Sequence, residues 1–161
     1  MINGLTNIEE FLPIRKNLKL QNKKVVFTNG CFDIVHSGHV DYLNKAKDLG
    51  DILVIGLNSD RSVREIKGEK RPIVNQEERA FVLKNLKCVD YVILFDEPTP
   101  KEIIDQIIPD ILIKGGDWAI ENIVGREVVE ANGGEVKTIQ FVTFQSTTNI
   151  IKKVLETYNE Q

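Results

Sequence analysis

Only two cysteines, Cys31 and Cys88, occur among the 161 residues, and they form neither a CxxC pair nor a disulfide framework. Two thiols so placed point to a reducing compartment and to small buried side chains rather than to covalent staples. Long apolar runs are missing as well: no segment approaches the roughly 18 to 20 apolar residues needed to span a bilayer. The opening residues MINGLTNIEEF lack the basic, then apolar, then small-residue layout of a secretory signal, so a cytoplasmic protein with no membrane role is expected. Charge of one sign is scarce. With 21 Lys and Arg against 24 Asp and Glu the formal net charge is −3, which excludes the broad basic surface of a nucleic-acid binder. Any anion must be held by a local site. Histidine is scarcest in a telling way: there are 2, both in the stretch TNGCFDIVHSGH from Thr28 to His39.

A hydrophobic content of 42% at this length is enough for one core. Residues 1–23 are mixed in charge and weakly helical, with Pro13 interrupting, and read as a leader packed on a domain that runs over 24–161. From Lys24 the pattern sharpens. KVVFT is a β-branched run, and GHVDYLNKAKDLG places Val40, Leu43 and Ala46 on one helical stripe with Gly50 as a stop. DILVIGL, YVILF and DILIKGG are continuous apolar runs of the kind a parallel strand shows when helices cover both its faces. Asn75 with Glu78 marks one helix start, Thr99, Pro100 and Glu102 suggest a capping box at another, Gly133 stops a third helix, and Ser146 caps a last one after the strand EVKTI. Strand and helix alternate throughout, which predicts an α/β fold, a Rossmann-like parallel sheet flanked by helices. Ligands in such folds bind beyond the carboxyl ends of the strands. TNGCFDIVHSGH, NSDRS, KGGDW and QSTTN each follow an apolar run, so four loops are expected to meet at one edge.

At that edge Gly30 allows close backbone approach, and Ser37 and Gly38 sit where a helix begins, with free amides suited to an anion. His36 and His39 on the first turn can donate to phosphate oxygens and, partly protonated, offset charge that builds during phosphoryl transfer. Asp33 and Asp41 lie close enough to raise a metal reading, but a protein zinc site needs three well-placed ligands and an i, i+3 histidine pair offers two. No protein-held metal is expected.

TNGCFDIVHSGHVDYL resembles the HxGH signature of the nucleotidylyltransferase superfamily, in which both histidines and the intervening glycine bind a triphosphate. GLNSDRSV, KGEKRPIVNQEERAFVL, VDYVILFDEPTP, PDILIKGGDW, EANGGEV and STTNIIKK follow in the order found in bacterial heptose 1-phosphate adenylyltransferases. The resemblance runs from about Lys24 to Lys153. It implies an enzyme that joins ATP and D-glycero-β-D-manno-heptose 1-phosphate into ADP-heptose and pyrophosphate by in-line attack, with no covalent intermediate, for lipopolysaccharide core biosynthesis. It also implies Mg²⁺ arriving with ATP, a homodimer, and a separate heptose kinase upstream.

The resemblance assigns residues too. His36, His39, Lys67 and Arg71 would be catalytic, the last two from a mobile arm over the phosphates. Thr28, Asn29, Gly30, Phe32 and Gly38 would form the floor under the nucleotide, with Asn58 and Asp60 at the end of the second strand. Gly115 and Gly116 would lie against base or ribose, Asp117 would accept from the sugar or base, and Ser146, Thr147 and Thr148 would meet a phosphate oxygen. Arg79 points either to the site or to neighbours such as Glu78. Glycerol-3-phosphate cytidylyltransferases, the nearest alternative, carry an arginine five residues before their serine-threonine element, where this sequence has Phe141. Asp33 and Arg126 are the remaining candidates at the substrate phosphate. A non-catalytic nucleotide-binding regulator is the rival of another class.

Overall fold

A computed structural model describes residues 5–116, 118–141 and 146–159. The chain runs α1 (Ile8–Leu20), β1 (Val25–Gly30), α2 (Ser37–Lys47), β2 (Ile52–Asn58), α3 (Asp60–Lys67), α4 (Gln76–Lys84), β3 (Tyr91–Phe95), α5 (Lys101–Ile107), β4 (Ile111–Gly115), α6 (Arg126–Ala131), β5 (Glu135–Ile139) and α7 (Thr147–Tyr158). The five strands form one sheet in the order β3-β2-β1-β4-β5, and every pairing is parallel. The expected α/β architecture is what the chain adopts.

Alternation along β1 explains the two layers. Val25 and Phe27 point to one face, where Phe11 of α1, Ile103, Ile104 and Ile107 of α5 and Val129 of α6 complete a core. Val26 points to the other, where Leu43 and Ala46 of α2 and Ala80 and Leu83 of α4 close a second core. A strand covered on both sides must be apolar at every position, and that is why these segments read as unbroken runs. The chain order reverses between β1 and β4: β2 and β3 were laid down on one side of β1, β4 and β5 on the other. A crevice opens at such a reversal, beyond the carboxyl ends of the strands.

Two local expectations need correction. Pro13 does not interrupt α1, which is one helix from Ile8 to Leu20 with a reciprocal Asn7–Glu10 cap. Contacts distant in sequence hold it together across the proline: Phe11 is fully buried, Arg15 Nε and Nη2 donate to the carbonyls of Ile107 and Ile108 at 3.1 and 2.7 Å, and Arg15 also pairs with Asp110 at 3.1 Å. Burying one phenylalanine contributes about 1.5–3 kcal/mol, comparable to the roughly 3 kcal/mol a helix-interior proline costs. The capping box at α5 is absent. The helix starts after Pro100, whose carbonyl already accepts from Ile104 N at 3.0 Å, and no side chain caps it. α3 begins at Asp60 and is capped by Ser59, whose hydroxyl accepts from Ser62 N at 3.0 Å. Asn75, accepting from Glu78 N at 2.9 Å, and Ser146, accepting from Asn149 N at 3.1 Å, cap α4 and α7 as their sequences predict. Gly133, at φ 80°, follows α6.

Candidate active site

β1 ends at Gly30, and the chain must then turn sharply to enter α2 at Ser37. Phe32 makes that turn in the left-handed region at φ 45°, a conformation costly for a bulky residue and held only where surroundings fix it. Here they do: the Phe32 ring is buried and lies 5.3 Å from the His39 ring. A Cβ on Gly30 would stand 3.0 Å from the Phe32 ring, so the strand end has no room for a larger residue. His36 caps α2, its Nδ1 accepting from Gly38 N at 3.2 Å, and its ring packs on that of His39 with centroids 4.0 Å apart. Since Nδ1 accepts, the proton of neutral His36 belongs on Nε2, leaving that nitrogen as the donor. His39 Nδ1 is buried with no partner among the described residues.

The expectation of partly protonated imidazoles is corrected in the free protein. Burial, with His36 adding to it, brings His39 down to about 4. Burial also lowers His36. Thr28 lies beneath the site, its hydroxyl 2.6 Å from that of Tyr42 on α2, a phenol that burial pushes up to about 12.

Beside the histidines, two arginines tie loops together. Arg79, on α4 and fully buried, donates from Nε to Val74 O at 2.9 Å, from Nη1 to Cys31 O at 2.5 Å and Asn58 O at 3.0 Å, and from Nη2 to Asp60 at 2.7 Å. It therefore joins the ends of β1 and β2 to the turn before α4. Asp60 and Asn58, expected at the nucleotide, are engaged in this frame: Asn58 Nδ2 also donates to Ser62 Oγ at 3.0 Å. Arg71 Nε donates to Asp33 at 2.5 Å, and the same carboxylate accepts from the amides of Ile73 and Val74 at 2.9 Å. Both side chains are thus engaged within the loop. Arg71 is fastened through Nε, and only its terminal nitrogens remain for a ligand. Asp33, a candidate at the substrate phosphate, is buried, and its oxygens hold the loop. Lys67, at the end of α3, is exposed. The Cys31 thiol, raised by its burial, feels Lys67, Arg79 and Arg71 as opposing charges, which places cations around the end of β1.

At the end of β4, Lys114 Nζ donates to Asn29 Oδ1 at 3.3 Å and stands 5.7 Å from the Trp118 ring centroid. Sequence reasoning missed Lys114, although a charge closing the apolar run ILI is a readable signal. Gly115 is needed for close approach: a Cβ there would meet the Phe141 ring at 2.5 Å, and Phe141 in turn packs on Tyr42 at 5.2 Å between centroids. Gly116 turns at φ 89°. Asp117 lies outside the described residues. Arg126, the other phosphate candidate, donates from Nε to both oxygens of Glu130 at 3.0 Å one turn along an exposed face. Ser146, Thr147 and Thr148 open α7 as expected, but no described hydrogen bond or ring contact joins them to the histidine pair.

No group of three His, Cys, Asp or Glu side chains among the described residues suits a metal ion. Asp33, in the turn between β1 and α2, and Asp60, at the start of α3, are paired with arginines.

A parallel sheet with a reversed strand order, a glycine turn, and an HxGH helix start at the crevice together define a nucleotide-binding transferase fold. The chain belongs to the cytidylyltransferase-like family, which matches residues 27–153. It is similar to Bifunctional protein HldE of Citrifermentans bemidjiense, 62% identical over 138 residues, or 86% of this chain and 28% of the relative. Bifunctional protein HldE of Geobacter sulfurreducens is 57% identical over 155 residues, 96% of this chain and 32% of that one. The chain thus spans under a third of the length of these curated relatives. Among solved structures, the lipopolysaccharide core biosynthesis protein of Thermoplasma volcanium matches with a TM-score of 0.61 and 30% identity, over 76% of this chain and 99% of that one. The pantoate-beta-alanine ligase of Francisella tularensis, at 14% identity and TM-score 0.60, covers 96% of this chain and 78% of its own, and shares the fold.

Proposed function

We propose that this chain transfers the adenylyl group of ATP to D-glycero-β-D-manno-heptose 1-phosphate, releasing pyrophosphate and giving ADP-heptose. The observation that carries the reading is the packed His36–His39 pair at the first turn of α2, with ring centroids 4.0 Å apart and planes tilted by 33°, beside a glycine-ended strand. Kinship with HldE proteins and with a lipopolysaccharide core biosynthesis protein supports the sugar.

The acceptor is a phosphate oxygen already ionised at neutral pH, so attack on the α-phosphorus needs no general base. A new bond forms from that oxygen to the α-phosphorus, the bond to the bridging oxygen of the β-phosphate breaks, and its electron pair leaves on pyrophosphate. What remains for the protein is positioning and charge stabilisation. In this reading His36 Nε2–H and His39 donate to phosphate oxygens, the amide of Ser37 adds the positive end of α2 while that of Gly38 holds His36 Nδ1, and Lys67 with the terminal nitrogens of Arg71 supplies charge. Mg²⁺ is proposed to enter on the triphosphate, keeping several waters. A kinase activity must supply the heptose 1-phosphate, whether on this polypeptide or another. A cytoplasmic homodimer is part of the same proposal.

The test is a pyrophosphate-release panel crossing ATP and CTP with heptose 1-phosphate, glycerol 3-phosphate and pantetheine phosphate. ATP with heptose 1-phosphate should be the active pair. His36→Ala and His39→Ala should each lower its turnover on the order of a hundredfold, the scale for losing a preorganised donor. Preference for CTP with a polyol phosphate would replace the reading with the cytidylyl one. ATP binding without pyrophosphate release from any acceptor would make the chain a regulator.

A further inference from the structure

Beyond the end of β4 lies a notch of about 60 Å³ whose lining includes Asn29, Leu112, Lys114, Trp118, Asn122 and Val124. Nothing in the reading above uses it. Its volume is about that of two liquid waters, enough for a phosphate-sized group. Lys114 is the cation of this notch. Its Nζ touches the Asn29 amide at 3.3 Å and the Trp118 ring at 5.7 Å, and no carboxylate pairs with it among the described residues. Burial lowers its pKa, so an incoming anion gains more from this ammonium than from a solvated surface lysine. Trp118 is half exposed, leaving ring area open.

The position of the notch matters more than its lining. Leu112 belongs to the core on the α1, α5 and α6 side, and Lys114, two residues on, projects to that same side of the sheet. His39, packed on Phe32, enters from the α2 side. The crevice at the β1–β4 reversal is therefore approached by the histidine pair from one face and by Lys114 from the other. In-line transfer needs the same arrangement, with the leaving pyrophosphate and the attacking oxygen on opposite sides of the α-phosphorus.

We propose that Lys114 holds the phosphate of the acceptor, with Trp118 offering its ring to the sugar and Asn29 and Asn122 their amides to its hydroxyls. This deepens, and rests on, the adenylyltransferase reading. It gives a cation for the role that Arg126, held by Glu130, does not fill.

Trp118 is the 1 tryptophan of the chain, so its emission reports on the notch without turnover. The protein is saturated with a non-hydrolysable ATP analogue and titrated with heptose 1-phosphate, glycerol 3-phosphate and inorganic phosphate. Heptose 1-phosphate should change the emission, with Kd raised about tenfold or more in Lys114→Met and only a few-fold in Lys114→Arg, as for the loss or retention of a charge-assisted bond. The affinity for the ATP analogue should change by about twofold or less in both variants, far below the acceptor's loss. In turnover, KM for the acceptor should rise while KM for ATP holds. An unchanged acceptor Kd in Lys114→Met, weakening of the analogue instead, or no response to any phosphate would overturn the proposal. If glycerol 3-phosphate alone binds, with the same Lys114 dependence, the heptose reading fails and the role of Lys114 stands.

Discussion

Two arginines and two lysines surround the end of β1, and they are used differently. Arg79 is fully buried and reaches three carbonyls and a carboxylate from three stretches of chain; Arg71 is fastened to the buried Asp33. Lys67 and Lys114 meet no carboxylate among the described residues. The planar guanidinium fork can satisfy several fixed acceptors at once, which suits a frame, whereas a lysine is a point charge on a flexible stem and keeps its donors for what arrives. The arginine wall shapes the crevice and the lysine mouth charges it. The arginines hold the loop that leads from β1 into the HxGH helix, at the Cys31 carbonyl and the Asp33 carboxylate.

Replacing Arg79 breaks that division most severely. Arg79→Met leaves Asp60 and the carbonyls of Cys31, Asn58 and Val74 without their donor, and should lower unfolding stability by about 3–5 kcal/mol, the range for removing one partner of a buried pair. Lys67→Met should move stability by no more than about 0.5 kcal/mol, as for an ordinary surface change, while weakening ATP binding. Urea unfolding of the two variants side by side measures both. Similar losses in the two would mean that arginine and lysine share one role.

The same division explains what could be read from sequence. The strands were plain because parallel strands buried on both faces are apolar along their length, as the run from Ile52 to Leu57 in β2 is. The caps at Asn75 and Ser146 were plain because their partners lie three residues away. The histidine pair and its glycine were plain for the same local reason. Arg79 was not, since its carbonyl partners Cys31 and Asn58 stand 48 and 21 residues distant. Helix α1 was underread because the contacts that carry it past Pro13 reach 92 residues along the chain. The Arg126 ion pair had a local clue in the sequence, a glutamate four residues on. Sequence periodicity reports burial well, but the destination of a long charged side chain is a tertiary fact.

A smaller blow falls on the lysine side. In Gly115→Ala the new Cβ meets Phe141 Cζ at 2.5 Å and Tyr42 Cε2 at 3.3 Å. Overpacking costs about 1–3 kcal/mol, and the low end applies because the half-exposed Phe141 ring can swing away. Activity should fall by more than this stability change accounts for, since Gly115 follows Lys114 directly and Phe141 leads toward Ser146. A melting curve compared with pyrophosphate release separates the two. Equal, small changes in both would remove Gly115 from the site.

The gentlest probe asks whether the histidines belong with the lysines as standing charges. Burial and the neighbouring His36 ring bring His39 from an ordinary 6.5 to about 4. As pH falls, the unfolded chain takes up this proton first, near 6.5, while folded His39 stays neutral until about 4. The stability that depends on neutral His39 is therefore complete above 6.5 and is lost progressively between 6.5 and 4. A triphosphate beside the ring acts in the opposite sense, favouring the charged form and raising its pKa. With 2 histidines in the chain, their ring-proton resonances are followed by NMR across pH, with and without ATP. His39 should titrate near 4 alone and higher with ATP, so ATP binding takes up a proton on mildly acidic solution and the resting charge of the mouth comes from its lysines. Titration near 6.5 in the free protein would instead make the imidazoles part of that resting charge, and the contrast between a neutral donor pair and a lysine-charged mouth would be lost.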